Sequence, residues 1–148
     1  MPIRQTTPQT VIDRTIREHT ERLMQVLINN LAYIGNEVVN QARRSNAYTD
    51  RTGNLRSSIG YILISNGKVV SKSGFEQVLN GKDGSDKGDD FAQELARKFG
   101  YPKTVVLIVV AGMNYARYVA NTGRDVLDSA ELLADKLVPT MLHKLGLK

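Results

Sequence analysis

From Thr10 to about Ser45, apolar residues recur at steps of three, four or seven: Ile12, Ile16, Leu23, Leu27, Leu31, Ile34, Val38 and Ala42. Met24 and Ile28 widen the stripe on one side. This is the period of an α-helix that buries one face. Pro8 stands near the expected start, and no proline or glycine interrupts the pattern before Gly35. About 35 residues at 1.5 Å each would run roughly 50 Å. A compact domain of this size is only about 35–40 Å across. Either the helix breaks near Gly35, or part of it leans on something outside its own subunit.

The pattern then changes period. "IGYILIS" (59–65) is rich in β-branched and aromatic residues and predicts a strand. "NGK" (66–68) is a two-residue hairpin signal, with Val69 and Val70 opening the return strand. Residues 71–90 are polar and glycine-rich, end in "NGKDGSDKGDD", and predict an exposed, flexible loop. A short amphipathic helix is expected next, with Asp89 or Asp90 as cap, Phe91, Leu95 and Phe99 on one face, and Gly100 as stop. After Pro102, Val105 to Val110 are all apolar, so both faces of this strand need cover. The short helix or a neighbouring subunit would supply it.

The last third is helical in two pieces split around Asn121 to Gly123. Val126, Leu127, Ala130, Leu133, Leu137, Met141 and Leu145 form the apolar face of the second piece. Pro139 should kink that piece or mark a break, since it removes a backbone hydrogen bond. The whole predicts one α+β domain over residues 1–148, with an N-terminal tail of about 1–9. Long N-terminal and C-terminal helices pack on a small antiparallel sheet of about three to four strands, with a short extra helix.

Composition narrows the chemistry. The 41% hydrophobic and 24% charged content suits one globular core. No apolar run is long enough to span a membrane. The start of the chain lacks the apolar core of a secretory signal, so a cytoplasmic site of synthesis is expected. Without cysteine there is no disulfide and no thiolate metal site. His19 and His143 each stand alone on a helix, without a second ligand at three or four residues. Asp83, Asp86, Asp89 and Asp90 lack the alternation and closing glutamate of a calcium loop. Glycines 81, 84 and 88 match neither a phosphate loop nor a dinucleotide turn. Ser57 and Ser58 have no neighbouring base. The inventory therefore predicts no catalytic residue, no cofactor and no metal, and a protein that is not an enzyme.

The charge of +5 has a centre. Arg43, Arg44, Arg51 and Arg56 fall within fourteen residues and face one acid, Asp50. Arginine forks suit phosphates and interface carboxylates alike. These four are candidates for an interface or for facing DNA, and a solvated loop is the plain alternative. Aromatic residues make up 6% of the chain, too few for an evident base-stacking platform.

Within the same region, Thr52 is a candidate N-cap, Gly53 permits a tight turn, and Leu55 is the first apolar anchor. Together "TDRTGNLRSSI" (49–59) resembles the Thr-Gly-x-Leu-x-x-Ser-Ile signature of the tail-completion, or head–tail joining, proteins of long-tailed bacteriophages. Thr52, Gly53, Leu55, Ser58 and Ile59 match it. A second stretch, "NYARYVANTGRDVLDSA" (114–130), resembles that family's Tyr-Ala-x-Tyr/Phe-Val-Glu-x-Gly-Thr motif through Tyr115, Ala116, Tyr118, Val119 and Gly123. Leu127 and Ala130 fit the start of its last helix. The order of elements agrees from about residue 10 to 145. Tyr48, Ala120 and Arg124 depart from the family's usual proline, glutamate and threonine.

The resemblance implies a structural virion protein of the neck or tail, assembled in the host cytoplasm. It would form a homo-oligomeric ring, hexameric or dodecameric, through which double-stranded DNA passes. Its partners would be neighbouring neck, connector or tail proteins, and no membrane. A tail-terminator ring capping the tail tube is the alternative in the same setting. A free basic DNA-binding protein is the alternative from another class.

Overall fold

The structure is a computed structural model and describes residues 4, 6–44, 53–112 and 127–147. In chain order it has α1 (Gln9–Arg44), α2 (Asn54–Ser57), β1 (Ile59–Ser65), β2 (Lys68–Gly74), α3 (Lys82–Phe99), β3 (Val105–Ala111) and α4 (Asp128–Lys144). The three strands form one antiparallel sheet in the order β2-β1-β3. This is the α+β arrangement that the pattern predicts.

Strand β1 is the centre of the sheet. Its alternation sends Ile59, Tyr61 and Leu63 to one face and Ile62 and Ile64 to the other, and all five are buried. The first face meets Leu31, Ile34, Val38, Val39 and Ala42 of α1 and Ala130 and Met141 of α4. The second meets Ala92 and Ala96 of α3, with Phe75. Strand β3 follows suit: Val105, Leu107 and Val109 pack toward α1 and α4, while Val106, Ile108 and Val110 pack toward α3. Its unbroken apolar run is thus explained by a helix layer on each side, with the extra helix as the second cover. The hairpin forms as expected, with Asn66 (φ 52°) and Gly67 (φ 79°) both left-handed, as a tight two-residue turn requires. The β1–β2 register shifts between Leu63 and Ile64.

Two sequence expectations need correction. Residues 71–90 are not one loop. Ser71–Gly74 completes β2, and the helix begins at Lys82 rather than near Phe91. Of the expected face of α3, Phe91, Leu95 and Phe99, Leu95 alone packs against the core, and it is half-buried. Gly84, Gly88, Ala92 and Ala96 are buried, at steps of four, while Phe91 and Phe99 remain exposed. Small residues let the helix axis approach the sheet so closely that larger ones on the same face would not fit. In addition, α4 continues through Pro139, which is exposed. The carbonyl of Asp135, which loses its usual donor there, is on an exposed residue and open to water.

Helix α1 does not break at Gly35. Its 36 residues make one helix of about 54 Å. At Gly35 it lies directly on the ring of Tyr61, where an added Cβ would stand 2.8 Å from Cγ. The ring cannot easily yield. It is buried, and its hydroxyl shares a 3.0 Å hydrogen bond with Ser71 Oγ. All six buried residues of α1 lie between Leu31 and Ala42, and none of Gln9–Val26 is buried. The N-terminal half of the helix is an arm.

Gly35→Ala should test this contact. Overpacking costs up to about 3 kcal/mol, against about 1 kcal/mol gained by alanine over glycine in a helix interior. The expected net loss is about 2 kcal/mol, seen in thermal melts as a Tm lower by roughly 4–8 °C. An unchanged or higher Tm would show that the Tyr61 ring is not held there.

Candidate functional site

The segment that the sequence marks as unusual is a buried corner. Gly53, at φ 78°, takes the N-cap position of α2 in the left-handed region open to glycine. A Cβ there would stand 2.0 Å from the carbonyl oxygen of Val78. Leu55, Ser57, Ser58 and Ile59 follow, all fully buried. Of the matched residues of the first motif, Gly53, Leu55, Ser58 and Ile59 therefore sit together, at the junction of α2 and β1. Thr52 lies outside the described residues, and the cap it was expected to provide is taken at Gly53.

Hydrogen bonds hold the corner. Ser58 Oγ donates to the carbonyl of Leu55 (2.7 Å), and the N–H groups of Ser57 and Ser58 reach back to Gly53 and Asn54. Ser57 Oγ accepts the Val78 N–H at 2.7 Å, which fastens the segment after β2. Asn54 Oδ1 accepts the N–H of Gly84 at 2.9 Å. Gly84 is in the first turn of α3, where backbone N–H groups have no partner within the helix. Helix α3 has no side-chain cap of its own, so Asn54 supplies that function from another element. Ser85 Oγ donates to the Phe75 carbonyl in the same region.

The glycines of "NGKDGSDKGDD" meet this corner. Added Cβ atoms would come within 2.2 Å of Ser57 Oγ at Gly81, 1.9 Å of the Asn54 carbonyl oxygen at Gly84, and 2.5 Å of the Ser58 carbonyl oxygen at Gly88. Gly60 and Gly88 also leave room for the Phe75 ring, against which their added Cβ atoms would stand at 2.6 and 2.8 Å. These glycines, with Asn54, Ser57 and Phe75, are the residues that sequence reasoning missed. The signal was present in their spacing: 81, 84 and 88 lie at three- and four-residue steps that Ala92 and Ala96 continue.

The four candidate arginines do not form one patch. Arg43 turns inward: its guanidinium donates to the Glu76 carbonyl at 2.9 Å and lies 3.5 Å from the Glu76 carboxylate, with 16% of the side chain exposed. It ties the end of α1 to the segment after β2. Arg44 is exposed at the last turn of α1, and Arg56 is half-buried on α2. Arg51 lies outside the described residues, as do Tyr115, Ala116, Tyr118, Val119 and Gly123 of the second motif.

Three acids of α3 pair with lysines. Asp83 meets Lys87 at 3.2 Å, Asp86 meets Lys82 at 3.6 Å, and Asp89 meets Lys72 of β2 at 2.9 Å. Among the described residues, no group of three or more histidines or acids is placed to hold a metal ion. No described helix is long and apolar enough to cross a membrane.

No family model, curated protein or solved structure matches this chain.

Ser57→Ala should separate this corner from its surroundings. It removes the acceptor of the Val78 N–H in a buried setting, at a cost of about 1–3 kcal/mol. Arg44→Glu, on an exposed position, should stay within about 0.5 kcal/mol. Urea unfolding of both variants checks the difference. Equal midpoints would show that the Ser57 bond holds nothing together.

Proposed function

We propose that this chain is a structural virion protein of a tailed bacteriophage, a head–tail joining or tail-completion subunit that works as part of a ring. The observation that carries the reading is the first motif. Gly53, Leu55, Ser58 and Ile59, on which the resemblance rests, are all buried in one corner that connects α2, β1 and α3. A short motif of common residues gains weight when its members share one structural task.

Two further features support it. The elements run in the order that the resemblance implies: long helix, corner, hairpin, strand, C-terminal helix. Helix α1 has about 18 residues, Gln9–Val26, of which none is buried among the described residues, which suits a subunit built to meet others. The internal role of Arg43 removes one of the cations on which a free DNA-binding protein would depend.

The test is the mass of the purified protein by light scattering at low and moderate salt, followed by negative-stain imaging and duplex-binding assays. The expected result is a ring of six or twelve subunits whose mass does not change with salt, and little duplex binding by separate subunits. A monomer that binds duplex tightly, with affinity falling steeply as salt rises, would replace this reading with that of a free basic DNA-binding protein.

A further inference from the structure

Two apolar surfaces of this chain lack a partner within the described residues, and they are linked by a single helix. The first is the arm of α1. At 100° per residue, Val26, His19, Ile12, Leu23, Ile16 and Leu27 fall within about 100° of one another around the helix. Arg14, Arg17, Glu18, Glu21 and Arg22 occupy the other side. Ile16 is 61% exposed and Val26 42%. The second surface is a trough between α1, the outer strand β3 and α4. Leu27, Leu31, Leu107, Val138 and Leu142 line one end of it, a cavity of about 390 Å³. Val38, Leu127 and Ala130 line an adjoining cavity of about 300 Å³, and Leu107, Val109 and Ala134 border both.

The arm cannot fill its own trough. Leu27 and Leu31, which line the trough, belong to the same helix as the arm, and that helix is continuous from Gln9 to Arg44. A straight rod cannot fold back on its own side. We infer that the occupant is a second copy: the Ile12–Leu23 stripe of one chain seats in the β3–α4 trough of another.

The area agrees. An arm of about 18 residues is a cylinder about 27 Å long and 10 Å wide, with roughly 850 Å² of side surface. Covering half of it removes about 400 Å² on the arm and a similar area on the trough. In a pair that exchanges arms reciprocally, each copy gives one arm and receives one across the same interface and buries about 800 Å², the amount each partner contributes to a stable specific interface, whereas a junction in a ring holds one arm and buries about 400 Å² on each side. Reciprocal exchange in a pair, or successive exchange around a ring, satisfies both surfaces of every copy. The contact would serve the assembly proposed above, but it does not depend on a viral role.

The chain has no cysteine, so introduced thiols are the only ones present. The experiment mixes purified Ile16→Cys chains with purified Ala134→Cys chains, adds a short bis-maleimide linker, and resolves the products by mass. The expected product is the mixed pair, in several-fold excess over the pair formed with Asp86→Cys, an exposed control position on α3. Adding Leu23→Asp to the arm chain should reduce the mixed product at least tenfold. Leu23 lies outside the buried core, so circular dichroism and the Tm should be unchanged. Mixed product no greater than the control overturns the inference. A predominant Ile16–Ile16 product also overturns it, because the arms would then pair with each other. Either failure leaves the virion reading to be judged by its own test, since a ring could close through other surfaces.

Discussion

The fold depends on the approach of one backbone to another. Helix α3 lies on the 53–59 corner at Gly81, Gly84 and Gly88, where there is no space for a Cβ. Contact this close lets Asn54 Oδ1 reach the Gly84 N–H and brings the first turn of α3 beside the Phe75 carbonyl. The same approach makes the slot for the Phe75 ring between Gly60 and Gly88. Buried polar groups are costly when unpaired, so these bonds and the packing that permits them form one unit. Ile59 enters the sheet from that unit, and β1 then organises the core on both faces.

That unit explains which parts of the fold were legible in the sequence. Elements that bury large side chains at a regular period could be read directly. The stripe of α1, the β1–β2 hairpin and the apolar run of β3 are of this kind. Helix α3 buries glycine and alanine instead, and its first half is built from residues that elsewhere mean a loop. Glycine costs about 1 kcal/mol relative to alanine inside a helix, so local propensity argues against what tertiary contact selects. The same contact explains why Phe91 and Phe99, the obvious anchors, are not the buried face. The corner was legible in part: Gly53, Leu55 and Ile59 have the roles their chemistry suggests, whereas the tasks of Ser57 and Asn54 depend on Val78 and Gly84, 21 and 30 residues away. Arg43 illustrates the same limit. Its partner Glu76 is 33 residues distant, so a run of arginines in sequence concealed an internal tie.

Helix α1 joins two physical regimes. From Leu31 to Ala42 it is locked by the sheet and α4, with Gly35 seated on Tyr61. Before Leu27 none of its described residues is buried. An isolated helix of that length would be marginal in water, because the first turn is costly to form. Here the anchored half already supplies the nucleus, and the arm only extends it. Hydrogen bonds along the arm, such as Gln9 to Asp13 and Thr20 to Ile16, assist locally. An arm that is already helical loses less conformational freedom on docking than a segment that must fold at that moment. The long helix is therefore a means of presenting a preformed surface.

The balance between an assembly role and a chemical one follows from where this chain places its polar groups. Ser57, Ser58 and Asn54, which in another setting could bind a ligand, spend their hydrogen bonds on the backbone of the same chain. Asp83, Asp86 and Asp89 spend theirs on lysines. Beside its solvated charges, the chain directs apolar surface outward: one face of the arm of α1, the trough beside β3, and single residues such as Leu132 on α4. Apolar surface that is kept exposed in an ordered arrangement is characteristic of a component that meets other proteins. The proposed virion role places that surface between subunits, where the rigid corner would fix the angle at which each domain holds its arm.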